Sequence, residues 1–212
     1  MGREFDPRRG LFFFKERRML RIDSGHTTLV LRENGCLESE TPFVFLNNED
    51  VCKIEFADDK EEVGVTSCQL PSPLRDIEVG HKSILRITRA DAVHGSILCL
   101  ADAKVIVTKK QPRLHRLCAT LGGSITCTTH AKLGDCLGTV CIDAWSGGSV
   151  NVAAVVSPAC NVTATNGASV YVGWSIQVDA VATTQGFIKI KGREKTRCHA
   201  DETAQVLFTR LT

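Results

Sequence analysis

Five segments of this chain repeat one local pattern, and that repetition restricts the fold more than any other feature. Each segment is a short run with apolar residues at alternate positions, then a corner of small polar residues with a Gly, then a second such run. The segments span residues 87–99, 117–127, 142–152, 162–172 and 178–190. When the segments are aligned, the equivalent positions are 28, 25, 20 and 18 residues apart, at Ile97, Ile125, Val150, Val170 and Ile188.

A period near twenty residues is typical of a β-solenoid, in which each coil supplies short strands that stack on their equivalents in the next coil. Alternate apolar residues would point into a narrow core, and Gly would allow the positive φ that a sharp corner needs. The alternative is an antiparallel sandwich built from hairpins. The ordered recurrence of strand, corner and strand favours the solenoid.

The repeat also carries a family resemblance. Its pattern places Ala or Thr, then Gly, before two alternating β-branched residues, as in Ala164-Thr165-Asn166-Gly167-Ala168-Ser169-Val170-Tyr171-Val172. Over roughly residues 82–190 this resembles the auto-transporter adhesin, head-GIN-type domain family. The resemblance implies an all-β, single-stranded right-handed parallel β-solenoid and supplies no catalytic residues. The chain departs from the family in its corners, which rarely contain a Gly-Asp pair, and in its many cysteines.

The N-terminal part of the chain is also predicted to be β structure. Residues 10–80 hold six of the nine Phe residues, which predicts a core of its own. The candidate strands are residues 11–15, 18–22, 28–31, 43–46, 51–56 and 63–70. Pro71-Ser72-Pro73 is the best candidate boundary. We therefore expect a basic arm over residues 1–22, an irregular β cap or first coils over 23–80, and solenoid repeats with a basic C-terminal strand over 81–212.

The ten cysteines bear on the compartment. They are scattered without a framework spacing, and several occupy apolar strand-like positions, as Cys99 and Cys141 do. A free cysteine behaves as a small buried hydrophobe. The first residues lack the apolar core of a signal peptide, and the longest apolar runs are far too short to cross a bilayer. We therefore expect free thiols, no transmembrane segment, and an intracellular reducing compartment, either the mitochondrial matrix or the cytosol.

One spacing resembles a zinc site. His115-x-x-Cys118 is followed by Cys127-x-x-His130, which gives two short pairs of zinc-type ligands. However, both cysteines occupy apolar alternation positions, so a metal site would interrupt the coil. Buried thiols with surface histidines are the favoured interpretation, and we expect neither a metal nor a cofactor.

One pair of carboxylates is a weak candidate for catalysis. Asp143 and Asp179 align at equivalent repeat positions two coils apart, and stacked outward carboxylates occur in some polysaccharide-cleaving solenoids. No third acid or basic partner accompanies them. The sequence therefore predicts a protein that is not an enzyme.

Basic residues are the candidates for contacting a partner. Between Lys189 and Arg197 they occur at every second position, so one extended strand would place all five on one face. Such a row can neutralise RNA phosphates, or it can protect an edge strand from aggregation. The candidate contacts are Arg8, Arg9, Arg17, Arg18, Lys109, Lys110, Lys189, Lys191, Arg193, Lys195 and Arg197.

Four functional hypotheses remain open. The favoured one is a non-enzymatic scaffold or interaction subunit of a larger intracellular assembly, with other proteins as partners. The second is an RNA-backbone-contacting subunit or assembly factor of a ribonucleoprotein particle, such as an organellar ribosome. The third is a surface adhesin or carbohydrate-binding solenoid, and the fourth is a polysaccharide-cleaving enzyme.

Overall fold

The computed structural model of the chain is all-β, and its parallel strands stack as a β-solenoid of about six turns. The predicted solenoid is therefore confirmed. The structure describes residues 4–6, 11–13, 19–23, 27–48, 51–56, 64–70, 74–109, 111, 113–128, 140–154, 156–192 and 196–210. Among those residues, no helix has the length and apolar character needed to cross a membrane.

The strands are short and follow one another closely. The first ten are β1 (Glu4–Asp6), β2 (Leu11–Phe13), β3 (Met19–Ile22), β4 (Thr28–Leu31), β5 (Cys36–Asn47), β6 (Val51–Phe56), β7 (Val65–Gln69), β8 (Leu74–Val79), β9 (Ile84–Ile87) and β10 (Val93–Cys99). The next ten are β11 (Lys104–Val107), β12 (Arg116–Thr120), β13 (Ser124–Cys127), β14 (Val140–Trp145), β15 (Ser149–Val152), β16 (Ser157–Thr165), β17 (Ser169–Thr183), β18 (Phe187–Gly192), β19 (Thr196–Ala200) and β20 (Gln205–Arg210).

Two walls of parallel strands enclose the core, and each turn contributes one strand to each wall. Wall 1 contains β3, β8, β10, β12, β14, β16, the second half of β17, and β19. Wall 2 contains β4, β9, β11, β13, β15, the first half of β17, β18 and β20. β17 belongs to both walls, and its pairing with β18 shifts register between Val172 and Trp174.

Alternate residues of each strand point inward and stack in register. In wall 2 the predicted equivalents Ile125, Val150, Val170 and Ile188 form one buried row, so that part of the alignment is confirmed. The placement of Ile97 in the same row is wrong, because Ile97 lies in wall 1 beside Leu117. Both strands of a turn have the same alternating pattern, so alternation alone does not identify the wall.

The corner that leads from wall 1 to wall 2 is a two-residue turn with positive φ. This backbone conformation was expected for the Gly residues, and it extends to residues of other types. The amide of the second corner residue donates to the carbonyl of the first corner residue in the next turn, as Gly147 does to Asn166 at 3.0 Å. The corners of the repeat are Ala101–Asp102, Leu121–Gly122, Ser146–Gly147, Asn166–Gly167 and Thr184–Gln185.

The opposite corner, from wall 2 to the next wall 1 strand, is held by side chains. The hydroxyls of Thr88 and Thr108 donate to carbonyls of the preceding turn at 2.8 and 3.0 Å. Gln111 is buried, and its Oε1 accepts the N–H of Val93 at 2.9 Å. Its Nε2 donates to the carbonyl of Arg89 at 2.6 Å. These contacts satisfy backbone groups that lie outside the strand ladders.

An irregular β cap covers the N-terminal end of the stack, as the fold prediction stated. β5 runs antiparallel to both walls: its first half pairs with β4 and its second half with β6. β7 pairs with β5, and β6 pairs with β3 in wall 1. Phe43 is fully buried in this cap. The centroid of its ring lies 6.4 Å from that of Phe56, in an edge-to-face arrangement. β1 and β2 form a separate antiparallel pair. Residues 71–73 lie outside the described residues.

Candidate interaction surfaces

The last turn of the solenoid has an open side. β19 is in register with β17 and β20 with β18, and in the described part of the chain neither strand has a registered neighbour on its other side. Residues in the inward rows are therefore uncovered: Phe208 is 43% exposed, and Cys198 and Ala200 are exposed. Leu207, on the outer face, is 48% exposed. An unpaired strand edge beside exposed apolar side chains is a common site for strand addition.

The corner of the last turn, in contrast, is closed by side chains. The N–H of Thr184 donates to Oδ2 of Asp201 at 2.6 Å, and the N–H of Gln185 donates to the hydroxyl of Thr203 at 3.0 Å. The other Asp201 oxygen, Oδ1, accepts the N–H and the hydroxyl of Thr203, each at 2.9 Å. The Thr184 N–H is the main reason that the pKa of Asp201 lies below its usual value. These side chains replace the carbonyl that a further turn would supply.

The basic residues near this end lie on two walls. Lys189 and Lys191 are exposed on the outer face of β18 in wall 2, whereas Arg197 is exposed on β19 in wall 1, beside Asp179. The expectation that all five residues share one face is therefore wrong, because the chain passes from wall 2 to wall 1 between Gly192 and Thr196. Arg193 and Lys195 lie outside the described residues.

Wall 2 also brings aromatic rings next to these lysines. Tyr171 is in register with Lys189, and both side chains are on the outer face. The Tyr171 ring lies 5.8 Å from the ring of Phe187, with the planes tilted by 55°. This contact is not apparent from the sequence, because Tyr171 belongs to the preceding turn, sixteen positions before Phe187.

The other candidate basic contacts are paired or fall outside the described residues. Lys109 Nζ lies 3.2 Å from Glu33 Oε1, and Arg32 Nε lies 2.8 Å from Glu38 Oε2. Both ion pairs line a shallow groove together with Asn34 and Thr88. Each cation in this groove therefore faces a carboxylate, which makes the groove a poor phosphate site. Arg8, Arg9, Arg17, Arg18 and Lys110 lie outside the described residues.

The cap end of the stack is also an edge. β7 has a registered partner only in β5 among the described residues, and the second half of β5 lies outside β6. Leu46 and Val65 are exposed apolar side chains on these two strands. The two ends of the solenoid thus have similar apolar exposure.

The predicted zinc ligands are not brought together. Cys127 is buried and faces the interior from wall 2, whereas Cys118 is on the outer row of wall 1, in register with Leu98 and Asp143. Cys118 is nevertheless buried there, so the expectation of buried thiols is confirmed for both cysteines. Burial, and then the neighbouring Asp143, raise the pKa of the Cys118 thiol. The described residues contain no group of three metal-ligating side chains, and His130 lies outside them.

Asp143 and Asp179 are not equivalent in the structure. Asp143 is in register with Thr163, whereas Asp179 is in register with Asn161, so the two carboxylates belong to different rows. Asp143 forms an ion pair with Arg116 at 3.0 Å. The expected equivalence of these aspartates is wrong. The residue of β17 in the same row as Asp143 is Val181, two positions after Asp179.

The corner ridge exposes a small apolar area. Leu121 is the first residue of its corner, and Trp145 ends the wall 1 strand of the next turn, in register with Thr120. Both side chains are exposed. Trp145 is therefore accessible at the corner and is not covered by the neighbouring coil.

Comparison with known proteins adds no relative. No family model, curated protein or solved structure matches this chain. The resemblance to the head-GIN-type family therefore remains a prediction.

Sequence reasoning missed the exposed apolar residues of the two ends. Leu207 and Phe208 lie in a segment that alternates like every other strand of the repeat. Their exposure comes from their position in the last turn, and no local signal marks that position.

Proposed function

We propose that this chain is a non-enzymatic β-solenoid scaffold, which serves as an interaction subunit of a larger intracellular assembly. The observation that supports this most directly is the last turn, where Leu207 and Phe208 are exposed and where β19 and β20 each have a registered neighbour on one side only among the described residues. A partner that adds a strand there would gain main-chain hydrogen bonds and would cover the apolar side chains. The stack itself supplies a rigid support, because each turn is held by two walls and an ordered corner.

Selective loss of partners tests this proposal. Affinity purification of the full chain would compare the wild type with Phe208→Lys and with Val181→Lys. Val181 is a matched control because it is similarly exposed, at 42%, but lies on the outer face of wall 1. Some partner proteins should be recovered with both the wild type and the control. We expect the recovered amount of these proteins to be lower by about tenfold or more with Phe208→Lys. Equal recovery with all three baits would contradict docking at the last turn.

The proposal also places the protein in a reducing compartment, either the mitochondrial matrix or the cytosol. The nine described cysteines are free, and those facing the interior, such as Cys99 and Cys160, fill core positions. Burial raises the pKa of Cys99 and Cys127 to about 12, so these thiols would be unreactive in the folded state. When the protein from cells is unfolded in the presence of an alkylating agent, close to all ten cysteines should be labelled. Labelling of half that number or fewer would indicate disulfides and an oxidising compartment, as an adhesin requires.

A second candidate function is contact with an RNA backbone, and one feature of wall 2 favours it. Lys189 and Lys191 are exposed two residues apart on one strand, and Lys189 lies beside the Tyr171–Phe187 ring pair. Lysines neutralise phosphates, and aromatic rings can stack on unpaired bases. An RNA-contacting subunit would use this outer face, which is distinct from the open edge of the last turn.

Charge reversal separates this candidate from the first. Lys189→Glu with Lys191→Glu should abolish crosslinking to RNA, whereas Lys104→Glu, an exposed position on the same wall, should leave it unchanged. If the double variant crosslinks as well as the wild type, this face does not bind RNA.

A further inference from the structure

We infer that the outer face of wall 2, at β17 and β18, binds a short stretch of single-stranded RNA, with phosphates on two lysines and a base stacked on an aromatic ring. This inference rests on the second candidate function, and it deepens that function by naming unpaired nucleotides as the ligand. Three observations support it: the absence of carboxylates from this wall, the spacing of its cations, and the position of the ring pair.

The two walls differ in their acidic residues. The described wall 2 strands, from β4 to β20, contain no Asp or Glu. The wall 1 strands contain Asp76, Glu78, Asp143 and Asp179. A polyanion would be repelled by the carboxylates of wall 1, and it would meet none on the described strands of wall 2. Wall 2 is therefore the face that suits a phosphate backbone.

The cations of wall 2 include one close pair. The exposed cations on the described outer face of this wall, none of which forms an ion pair with a described residue, are Arg86, Lys104, Lys189 and Lys191. Lys189 and Lys191 lie on one strand with about 7 Å between their Cα atoms, a separation that two successive phosphates can match. The strand of Lys104 lies four strand spacings away from β18, which is about 19 Å. A few nucleotides at the lysine pair therefore need no contact with Lys104.

The ring pair lies directly beside the two lysines. Tyr171 is in register with Lys189, so their Cα atoms are about 5 Å apart on neighbouring strands. Phe187 lies two positions before Lys189 and faces the same side of β18. Both rings are partly exposed. A base stacked on one of these rings would keep its phosphate within reach of the lysine pair.

The shape of this face favours an unpaired strand over a duplex. The bases of a duplex are stacked on one another and paired, so their faces cannot reach a ring on a flat sheet. A duplex would therefore contact only the lysines, and two phosphate contacts give weak binding that salt reduces further. An unpaired strand contacts both the lysines and the rings. Every base has a π-face, so the site should tolerate any sequence.

Competition between three polyanions tests the inference on the full chain. The labelled probe is oligouridine of about twelve nucleotides, and its binding is followed by fluorescence anisotropy at low salt. The competitors are unlabelled oligouridine, a hairpin RNA duplex and inorganic polyphosphate, matched in total charge. We expect unlabelled oligouridine to compete at least about tenfold more tightly than the other two, because only its bases can stack on the ring pair.

Two variants separate the ring from the lysines. Tyr171→Thr should weaken oligouridine binding about tenfold and leave its salt dependence unchanged, and Thr126 shows that threonine suits this outward row. Lys189→Gln with Lys191→Gln should instead reduce the slope of log K against log salt by about 1.4, since each phosphate contact contributes about 0.7. Ile106→Thr, in the same row as Thr126, is the matched control and should bind as the wild type does. Thermal melts would verify that each variant is folded.

Three outcomes would overturn the inference. They are a hairpin that competes as well as oligouridine, polyphosphate that does so, and a Tyr171→Thr protein that binds oligouridine as tightly as the wild type. Each of these would leave contact with an RNA backbone standing, because that contact requires only the lysines. A wild type that binds neither oligouridine nor the hairpin would contradict the RNA candidate as well. The scaffold function is tested separately by the loss of protein partners.

Discussion

A single methyl group at one corner should destabilise the solenoid measurably. Gly148 follows the Ser146–Gly147 corner, and its amide donates to the carbonyl of Trp145 at 2.8 Å. A Cβ at Gly148 would lie 2.2 Å from the carbonyl oxygen of Ala119 in the preceding turn. That atom belongs to the backbone of wall 1, so the clash cannot be relieved by rotating a side chain. We therefore expect Gly148→Ala to open the corner.

Other turns of the same protein indicate how far the corner must open. Ala103 and Ala168 occupy the position of Gly148 in their own turns, and their corner hydrogen bonds measure 3.0 and 3.3 Å. A Cβ at this position is thus accompanied by a hydrogen bond longer by a few tenths of an ångström. Overpacking that is relieved by backbone shifts of this kind typically costs about 1–3 kcal/mol. Because the Ala turns show that relief is available, we expect a loss of about 2 kcal/mol for Gly148→Ala.

The neighbouring glycine provides the matched control. Gly147 has a φ of 75°, but a Cβ there would approach no atom more closely than the amide nitrogen of Gly122 at 4.0 Å. Gly147→Ala should therefore cost only the left-handed backbone penalty, about 1 kcal/mol. Gly147→Asn should cost less than about 0.5 kcal/mol, because Asn tolerates this conformation. Asn166 and Asp102 already adopt it in other corners.

Urea denaturation followed by far-UV circular dichroism would measure the three variants against the wild type. The free energy of unfolding should decrease from the wild type through Gly147→Asn and Gly147→Ala to Gly148→Ala. The m-value, which is the slope of that free energy against urea concentration, should be the same for all four proteins. A Gly148→Ala protein as stable as Gly147→Asn would refute the reasoning, since it would mean that the close approach of Gly148 to Ala119 places no restriction on the corner.

Two further predictions concern side chains that satisfy backbone groups. Replacing Gln111 with Leu should destabilise the protein by about 2–4 kcal/mol, because the carbonyl of Arg89 and the amide of Val93 lose their buried partner. Gln177→Leu, at an exposed position on wall 1, should change stability by less than about 0.5 kcal/mol in the same urea titration. Asp201 should make the last corner acid-sensitive: its folded pKa is lowered, so its contribution is fully present above about pH 4 and is lost as the pH falls through the folded pKa. Thermal melts from pH 6 to pH 3 should show a smaller loss for Asp201→Asn than for the wild type, and equal losses would show that the carboxylate does not hold this corner.

Much of the architecture could be predicted because the local pattern is strong. Thr28–Leu31 and Val51–Phe56 were predicted with the bounds that the structure has, since each is a short alternating run between polar segments. The corner glycines with positive φ also follow from sequence, because few residues adopt that conformation readily. The class of fold follows from the recurrence of these units along the chain.

The assignment of residues to walls could not be predicted, and the errors share that cause. Ile97 and Ile125 occupy the same kind of alternating strand but lie on different walls. Lys191 and Arg197 are separated by the passage between walls, so their even spacing does not place them together. Cys118 is buried as expected, but it lies on the outer row of wall 1, which is itself partly apolar where Leu98 lies. Side-chain alternation fixes which residues share a face of one strand, and it does not fix where the next strand lies.

The cap has a consequence for the order in which the protein folds. Within the repeats, consecutive inward residues such as Leu85 and Val105 are 20 positions apart, so each new turn closes a short loop. Leu20 of β3 meets Ile77 of β8, 57 positions later, because β5, β6 and β7 intervene. Closing this longer loop costs about 0.9 kcal/mol more in chain entropy than closing a 20-residue loop within the repeats. The N-terminal turn is made first on the ribosome, yet it must wait for a segment that emerges more than fifty residues later before its own wall is complete.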